Sequence, residues 1–387
     1  MKITRVTPIF TSRYLHVEIE TDSGLVGTGE SGAWGHLEAS ATAVEKFATY
    51  LLGQDPGPIE AHWNMMHRFG HFRGAAICGA ISAIDIALWD IKGQALGVPI
   101  HVLLGGPVRD SARLYAHVKA ATKPDMIAAA LKRKEQGYTA IGHLNPFLDE
   151  DKGDVYFKGH ARKIEDAVGV VADLRAAVGP DMDLCIEIHR RLTPAEAVAF
   201  AREIAVFRPM FYEDPIAPTS AEAMGRVADA VSIPVATGER FSSLYDFQAH
   251  IQRGALDYAR VSVCLCGGLT GARKIAALAE AFDVRVVPHN PLSPISLLAC
   301  LQLDAAIPNF AIQEYPLVTG PDMLNGKSNT LRGADLVDWT PQVANGFIRI
   351  PTTPGLGGAL RADAKDKGRV VRKIEMRPHA DGSHVDQ

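Results

Sequence analysis

The chain has little of what marks several protein classes. Its 387 residues include only 5 cysteines, Cys78, Cys185, Cys264, Cys266 and Cys300, an odd and scattered set that excludes a disulfide framework. It has little excess charge: 40 Lys and Arg stand against 44 Asp and Glu, a formal -4, which removes the electrostatic footprint of a nucleic-acid or anionic-membrane binder. No apolar run approaches the ~20 residues of a bilayer span, and the opening MKITRVTPIF has no secretory apolar stretch. These absences leave a cytoplasmic enzyme of bacterial type, with a small-molecule partner, as the expectation. What is present fits that reading. Hydrophobic residues make up 47% and charged residues 22%, enough to bury a sizeable core, and the length predicts two or three domains or one large barrel with a smaller partner.

The first thirty residues alternate, with Leu15, Val17 and Ile19 before Asp22-Ser23-Gly24 and Leu25-Val26 after it, which reads as a hairpin. From Glu38 the spacing turns helical, and Ala80, Ile84, Ala87, Leu88 and Ile91 predict an apolar stripe on one face of a long helix. An α+β domain over 1–112 follows. Short β-branched runs then alternate with Ala-rich amphipathic stretches. Strands are expected at Leu114 to Val118, Tyr138 to Ile141, Leu184 to Ile188, Met210 to Tyr212, Ile233 to Ala236, Tyr258 to Val263, Val284 to Val287 and Ala311 to Gln313. From the third strand on they recur roughly every 22 to 27 residues, the length of one βα unit, so residues 113–345 read as a closed (β/α) barrel. A doubly wound open sheet is the alternative, but no G-x-G-x-x-G follows the first strand. Thr193 before Pro194 marks a helix start. Residues 346–387 read as a segment returning to the N-terminal domain, frayed from His379.

Barrel chemistry sits where strands end, and the ionisable residues at that phase are Glu187, Glu213, Glu239, His289 and Glu314. The three glutamates are spaced 26 residues apart in CIEIH, FYEDP and ATGER. With neighbouring strands ~4.8 Å apart, three carboxylates at equal phase converge and repel unless a cation joins them. Hard oxygen donors favour one Mg²⁺ over Zn²⁺. His189 lies two residues beyond Glu187, on the same strand face, and points at the same cavity. His289 in VVPHNPLSP carries the side chain whose pKa lies nearest neutrality, as a proton-abstracting base requires.

Along almost its whole length the lettering resembles the enolase superfamily, and within it the mandelate racemase subgroup, especially acid-sugar dehydratases of the galactonate dehydratase type. The resemblance is carried by GQDPGPIEAHW, RGAAICGAISAIDIALWDIKGQALGVPIHVLLGG, FYEDP, IPVATGERF, CGGLTGARKIAALAEAFDVRVVPHNPLSPISLLACLQLDAAIPN, QEYP and PGLG. It implies an α/β fold, a modified (β/α)7β TIM barrel under an N-terminal α+β capping domain. It also implies one Mg²⁺ held by Glu187, Glu213 and Glu239, His289 as the base that removes the proton α to a carboxylate, His189 as the acid that protonates the leaving β-hydroxyl, and Glu314 as a hydrogen-bonding partner of the enediolate. The product would be a 2-keto-3-deoxy sugar acid. Trp34 and Arg73 from the cap, with His143, Asn145 and Arg240 from the barrel, are the expected substrate contacts. Barrels of this group commonly form dimers or octamers.

The chain departs from that pattern at three positions. Glu187 stands where many relatives carry Asp. Gly142 and His143 stand where racemases of the subgroup carry a lysine base. Ser262 stands where an Asp normally orients the strand-seven histidine, and a serine can fix the tautomer but cannot stabilise the imidazolium. The missing lysine disfavours a two-base racemase; epimerisation or racemisation, lactone cycloisomerisation, and sugar-acid binding with weak or no turnover, which Ser262 supports best, are the alternatives. Other features read as structural: Cys264 and Cys266 as packed or loop thiols, Asp149 to Asp154 as a solvated segment over the barrel mouth, and His62, His67 and His71 as residues of a surface helix of the cap. Asp257 is expected at the far end of its strand.

Overall fold

The computed structural model describes residues 1–148, 158–320, 322, 327, 329–371, 378, 381 and 382. The segment Asp149 to Asp154 and the tail from His379, but for residues 381 and 382, lie outside them. The chain opens with an antiparallel sheet of β1 (Ile3–Thr11), β2 (Tyr14–Thr21) and β3 (Val26–Ser31), in which Val17 faces both Pro8 and Gly29. Three helices, α1 (Leu37–Leu51), α2 (Ile59–Arg68) and α3 (Ala75–Leu96), cover it. Gly27 and Gly29 let β3 lie directly on α3, because a Cβ at either would collide with the carbonyls of Ala87 or Ala83.

The expected one-sided stripe on α3 is too narrow. Residues 78–88, Asp90, Ile91 and Gly93 are all buried, since the helix is packed between the sheet on one side and the barrel on the other. Two of its polar members bond across that interface. The Ser82 hydroxyl accepts from the amides of Gly267 and Gly268, and Asp85 accepts from the amide of Thr270.

After the short α4 (Ile100–Leu103), strands and helices alternate: β4 (Ser111–His117), α5 (Lys123–Glu135), β5 (Ala140–Leu144), α6 (His160–Val178), β6 (Asp183–Glu187), α7 (Pro194–Ile204), β7 (Phe211–Glu213), α8 (Ala221–Ala230), β8 (Val235–Thr237), α9 (Leu244–Arg253), β9 (Tyr258–Ala259), α10 (Gly268–Glu280), β10 (Arg285–Val286), α11 (Pro294–Ala306) and β11 (Gln313–Tyr315). Strands β4 to β10 pair in parallel in chain order, β11 pairs with β4, and a parallel bridge between Val286 and Phe310 closes the ring. All eight expected strands are found.

Strand β9 is shorter than expected. The regular strand ends at Ala259, although the Arg260 amide still meets the Thr237 carbonyl and the Val261 carbonyl still accepts the His289 amide, and the amides of Leu265 and Cys266 turn back onto the Ser262 carbonyl. Thr193 does cap α7, with a reciprocal bond to Glu196. The hairpin of β12 (Val343–Ala344) and β13 (Phe347–Arg349) adds antiparallel to the start of β4. The chain then runs back along the cap, where the Leu356 amide meets Asp90, Lys365 pairs with Glu18, and Arg369 pairs with Glu38.

Candidate active site

Tyr115, Ala140, Cys185, Phe211, Ala236, Val287 and Ile312 fill the barrel lumen with a buried apolar layer. On this floor stand the charged groups at the strand ends. Glu187 and Glu213 are direct register partners on β6 and β7. Glu239 is not at equal phase. Glu213 faces Ala236 on β8, so Glu239 sits three residues further on, past the end of that strand. It comes back to the others because Gly238 turns the chain at φ +129, where a Cβ would strike the Phe247 ring. One oxygen from each of Glu187, Glu213 and Glu239 then lies within 4.8 Å of the other two, and all three residues are nearly inaccessible.

Each carboxylate has a basic partner. Glu187 lies between two imidazoles, with His143 Nδ1 at 2.7 Å from Oε2 and His189 Nε2 at 2.5 Å from Oε1. Arg260 spans Glu213 at 2.5 Å and Glu314 at 2.6 Å. Arg190 spans Glu239 at 2.5 Å and Asp214 at 2.9 Å. Glu314 also accepts from the Asn290 amide and lies 2.7 Å from His117 Nε2. The His117 ring stacks on His143 at 4.8 Å, and His143 meets His189 edge-on at 5.2 Å. On the far side, His289 Nε2 lies 3.4 Å from Glu239 Oε2.

Charge decides the protonation of these acids. Burial pushes the Glu187 carboxyl up, but His189 and His143 outweigh it and hold the group well below the ordinary range. Glu314 is likewise held low, by Arg260 and His117 against burial. Glu213 goes the other way: burial, with Glu187, Glu239 and Glu314 close by, raises it well above the ordinary value despite Arg260. His117 is pushed down to about 4 by burial, while Glu187 raises His189 against burial. Four carboxylates, Glu213, Glu239, Asp214 and Glu314, share the two guanidiniums, which leaves an excess of acidic groups in a buried space. That excess, and the oxygen donors of the triad, suit a hard divalent cation.

Backbone strain gathers here as well. His143, His189, Arg190 and Asp214 all have positive φ, at 58°, 55°, 67° and 40°, a region non-glycine residues seldom enter.

Residues 2–105 match the mandelate racemase / muconate lactonizing enzyme N-terminal domain, and residues 125–364 match the enolase C-terminal domain-like family. The chain belongs to the enolase superfamily. A curated superfamily relative, D-galactonate dehydratase from Ralstonia pickettii, is 35% identical over 99% of both chains. A crystal structure of an enolase from Agrobacterium radiobacter with bound Na and L-malate superposes with a TM-score of 0.90 at 29% identity, covering 99% of each chain. The 3,6-anhydro-D-galactonate cycloisomerase from Zobellia galactanivorans matches with a TM-score of 0.81 at 28% identity, covering 95% of this chain and 99% of its own.

In this enolase-superfamily chain, Glu187, Glu213, Glu239, His189, His289, His143 and Glu314 lie around one mouth. The other expected contacts are less drawn in. Asn145 accepts the Phe147 amide in a turn just past β5, Trp34 is 45% exposed in the loop after β3, and Arg240 is exposed beside Glu239. Arg73 bonds the His67 carbonyl within the cap.

Three expectations need correcting. Ser262 is buried next to Val261, whose carbonyl accepts the His289 amide, but His289 Nδ1 has no hydrogen-bond partner among the described residues, so the serine does not fix the tautomer. His62 and His67 are buried rather than on a surface helix. His62 lies between the Tyr50 hydroxyl and the Asp55 carbonyl, and His67 stacks on Trp63 at 4.5 Å; only His71 is exposed. The third is the phase of Glu239, described above. Cys264 and Cys266 are packed thiols, and Asp257 binds the Val235 amide at the start of β9.

Sequence reasoning missed His117, Arg190, Asp214 and Arg260. Arg260 carried the clearest signal, an arginine two residues before Ser262 on a strand that was expected to point alternate side chains inward.

Proposed function

We propose that this enzyme is an Mg²⁺-dependent hydro-lyase of a sugar acid, an aldonate or aldarate. It removes the proton α to the carboxylate and expels the β-hydroxyl as water. The observation that carries the reading is the meeting of Glu187, Glu213 and Glu239 within 4.8 Å, flanked by His189 and His289, in a chain similar from end to end to a D-galactonate dehydratase. Glu187, Glu213 and Glu239 would hold the ion, which when bound supplies electrostatic stabilisation for charge growing on the substrate carboxylate.

His289 takes the α-proton at Nε2, the ring nitrogen that faces the triad, and must then keep its other proton on Nδ1. That N–H is buried and unpaired, an unfavourable arrangement that limits the base. His189, kept protonated by Glu187, gives its proton to the β-hydroxyl as the C–O bond breaks. Water leaves, and the resulting enol ketonises to a 2-keto-3-deoxy acid. Glu314, fixed by Arg260, His117 and the Asn290 amide, hydrogen-bonds the substrate as it becomes an enediolate. Trp34, Arg73, His143, Asn145 and Arg240 are the proposed contacts of the rest of the sugar acid.

The unpaired Nδ1 favours one second reading, a sugar-acid binder with no turnover. A panel of C5 and C6 aldonates and aldarates, incubated with Mg²⁺ and assayed for 2-keto acids, separates the two. Keto acid from at least one member is expected. Saturable binding without keto acid from any member would leave the binder.

A further inference from the structure

We propose that His143, Glu187 and His189 form a second metal site, one that takes a borderline first-row divalent ion such as Zn²⁺ or Co²⁺ and shares Glu187 with the carboxylate triad. One ligand atom from each of these three residues lies within 4.8 Å of the others, as in the triad, but the donor set differs: two imidazole nitrogens and one carboxylate. Such a set suits Zn²⁺, Co²⁺ or Fe²⁺, whereas three carboxylates suit Mg²⁺.

The geometry at Glu187 allows sharing. Its two oxygens are divided, Oε2 facing His143 Nδ1 and Oε1 facing His189 Nε2. The nitrogen to oxygen separations of 2.7 and 2.5 Å are hydrogen-bond contacts, so an ion with bonds of about 2.1 Å would take the place of the shared protons and spread the ligand atoms to roughly 3 Å or more. The rings are also set in place beforehand. His143 is stacked on His117, which Glu314 holds, and both ligand histidines sit on left-handed backbone that the surrounding fold must enforce. The imidazoles face the mouth, with side chains 22% and 32% exposed against 6% for Glu187, so an ion can reach them from solution.

An ion on His189 Nε2 occupies the lone pair that otherwise carries a transferable proton. Zn²⁺ would therefore suppress dehydration without competing with Mg²⁺ for its site. The inference does not depend on the sugar-acid reading, because two of its ligands are not in the triad.

The test uses the untagged full chain, saturated with Mg²⁺ and titrated with Co²⁺, read by metal analysis and by the visible absorption of the bound ion. The expected result is one Co²⁺ per chain with Mg²⁺ retained, a nitrogen-ligand spectrum, and affinity lowered more than ~10-fold in His143→Gln and in His189→Gln but kept in Glu239→Gln. Zn²⁺ should also protect two histidines of the unaltered protein from diethylpyrocarbonate, a readout that stands if a variant does not fold. One-for-one displacement of Mg²⁺ by Co²⁺, affinity unchanged in both histidine variants, or no histidine protection would overturn it. Loss of Mg²⁺ binding alone, with the Co²⁺ site intact, would count against the triad and not against this site.

Discussion

The two sides of the barrel mouth are built differently. On the side of β4 to β6, three histidines stand in contact, His117 and His143 stacked and His189 edge-on, and each ring has a carboxylate within hydrogen-bond reach. On the side of β9 and β10, His289 stands alone: its Nε2 is 3.4 Å from Glu239, and its buried Nδ1 has no partner among the described residues. The contrast fits the proposed roles of His189 as acid and His289 as base. Glu187 raises His189 against burial, whereas His117 is pushed down by burial despite Glu314, so the two carboxylates act on their imidazoles to opposite net effect. The His289 ring, with no partner for Nδ1 among the described residues, would gain little help once charged.

The contrast can be broken or sharpened in three ways. Removing the middle carboxylate of the triad should have the largest effect: Glu213→Gln is expected to abolish Mg²⁺ binding by calorimetry and lower turnover by about 10³-fold, and unchanged binding would show that the triad is not the metal site.

A smaller effect is expected outside the mouth, where Glu30 accepts from the hydroxyl and amide of Ser293 and the amide of Ser296 at the start of α11, just beyond the His289 loop. Burial raises Glu30 from 4.5 to about 7, so the folded chain holds a proton there that the unfolded chain gives up, and this contribution to stability is lost as pH rises from 4.5 to 7. Neighbouring His16, pushed down to about 3 by burial, contributes a slope of opposite sign below 6.5. The difference between Glu30→Gln and the unaltered protein isolates Glu30. Denaturant unfolding should show that difference moving in favour of the variant by on the order of 3 kcal/mol over this window, and a difference constant with pH would refute the assignment.

The smallest effect sharpens the poorly supported side. Ser262→Asp supplies His289 Nδ1 with a carboxylate and should raise turnover about 10-fold with the same substrate range; lower turnover would mean that the serine is fitted to its own mechanism.

The strand period, the triad and the two flanking histidines were legible because each falls at the end of an apolar run, a pattern that survives without coordinates. The phase of Glu239 was not, since spacing along the chain does not reveal that β8 is short and that Gly238 turns the backbone past its end. Nor did spacing reveal that α3 would be buried on nearly all sides, because its second covering layer comes from α10, far away in sequence. Arg260, Arg190 and His117 were hidden for a different reason. Their roles are defined by carboxylates on other strands, and only closure of the barrel makes those pairs.

The division of labour between the two sides is tested most directly by solvent exchange. With Mg²⁺ and an aldonate that the enzyme dehydrates, in D₂O, proton NMR follows loss of the α-hydrogen signal while a keto-acid assay follows elimination. His189→Asn should exchange the α-hydrogen yet release no keto acid, whereas His289→Asn should do neither, with exchange lowered by roughly 10²- to 10⁴-fold. Exchange that persists at the unaltered rate in His289→Asn would contradict the account.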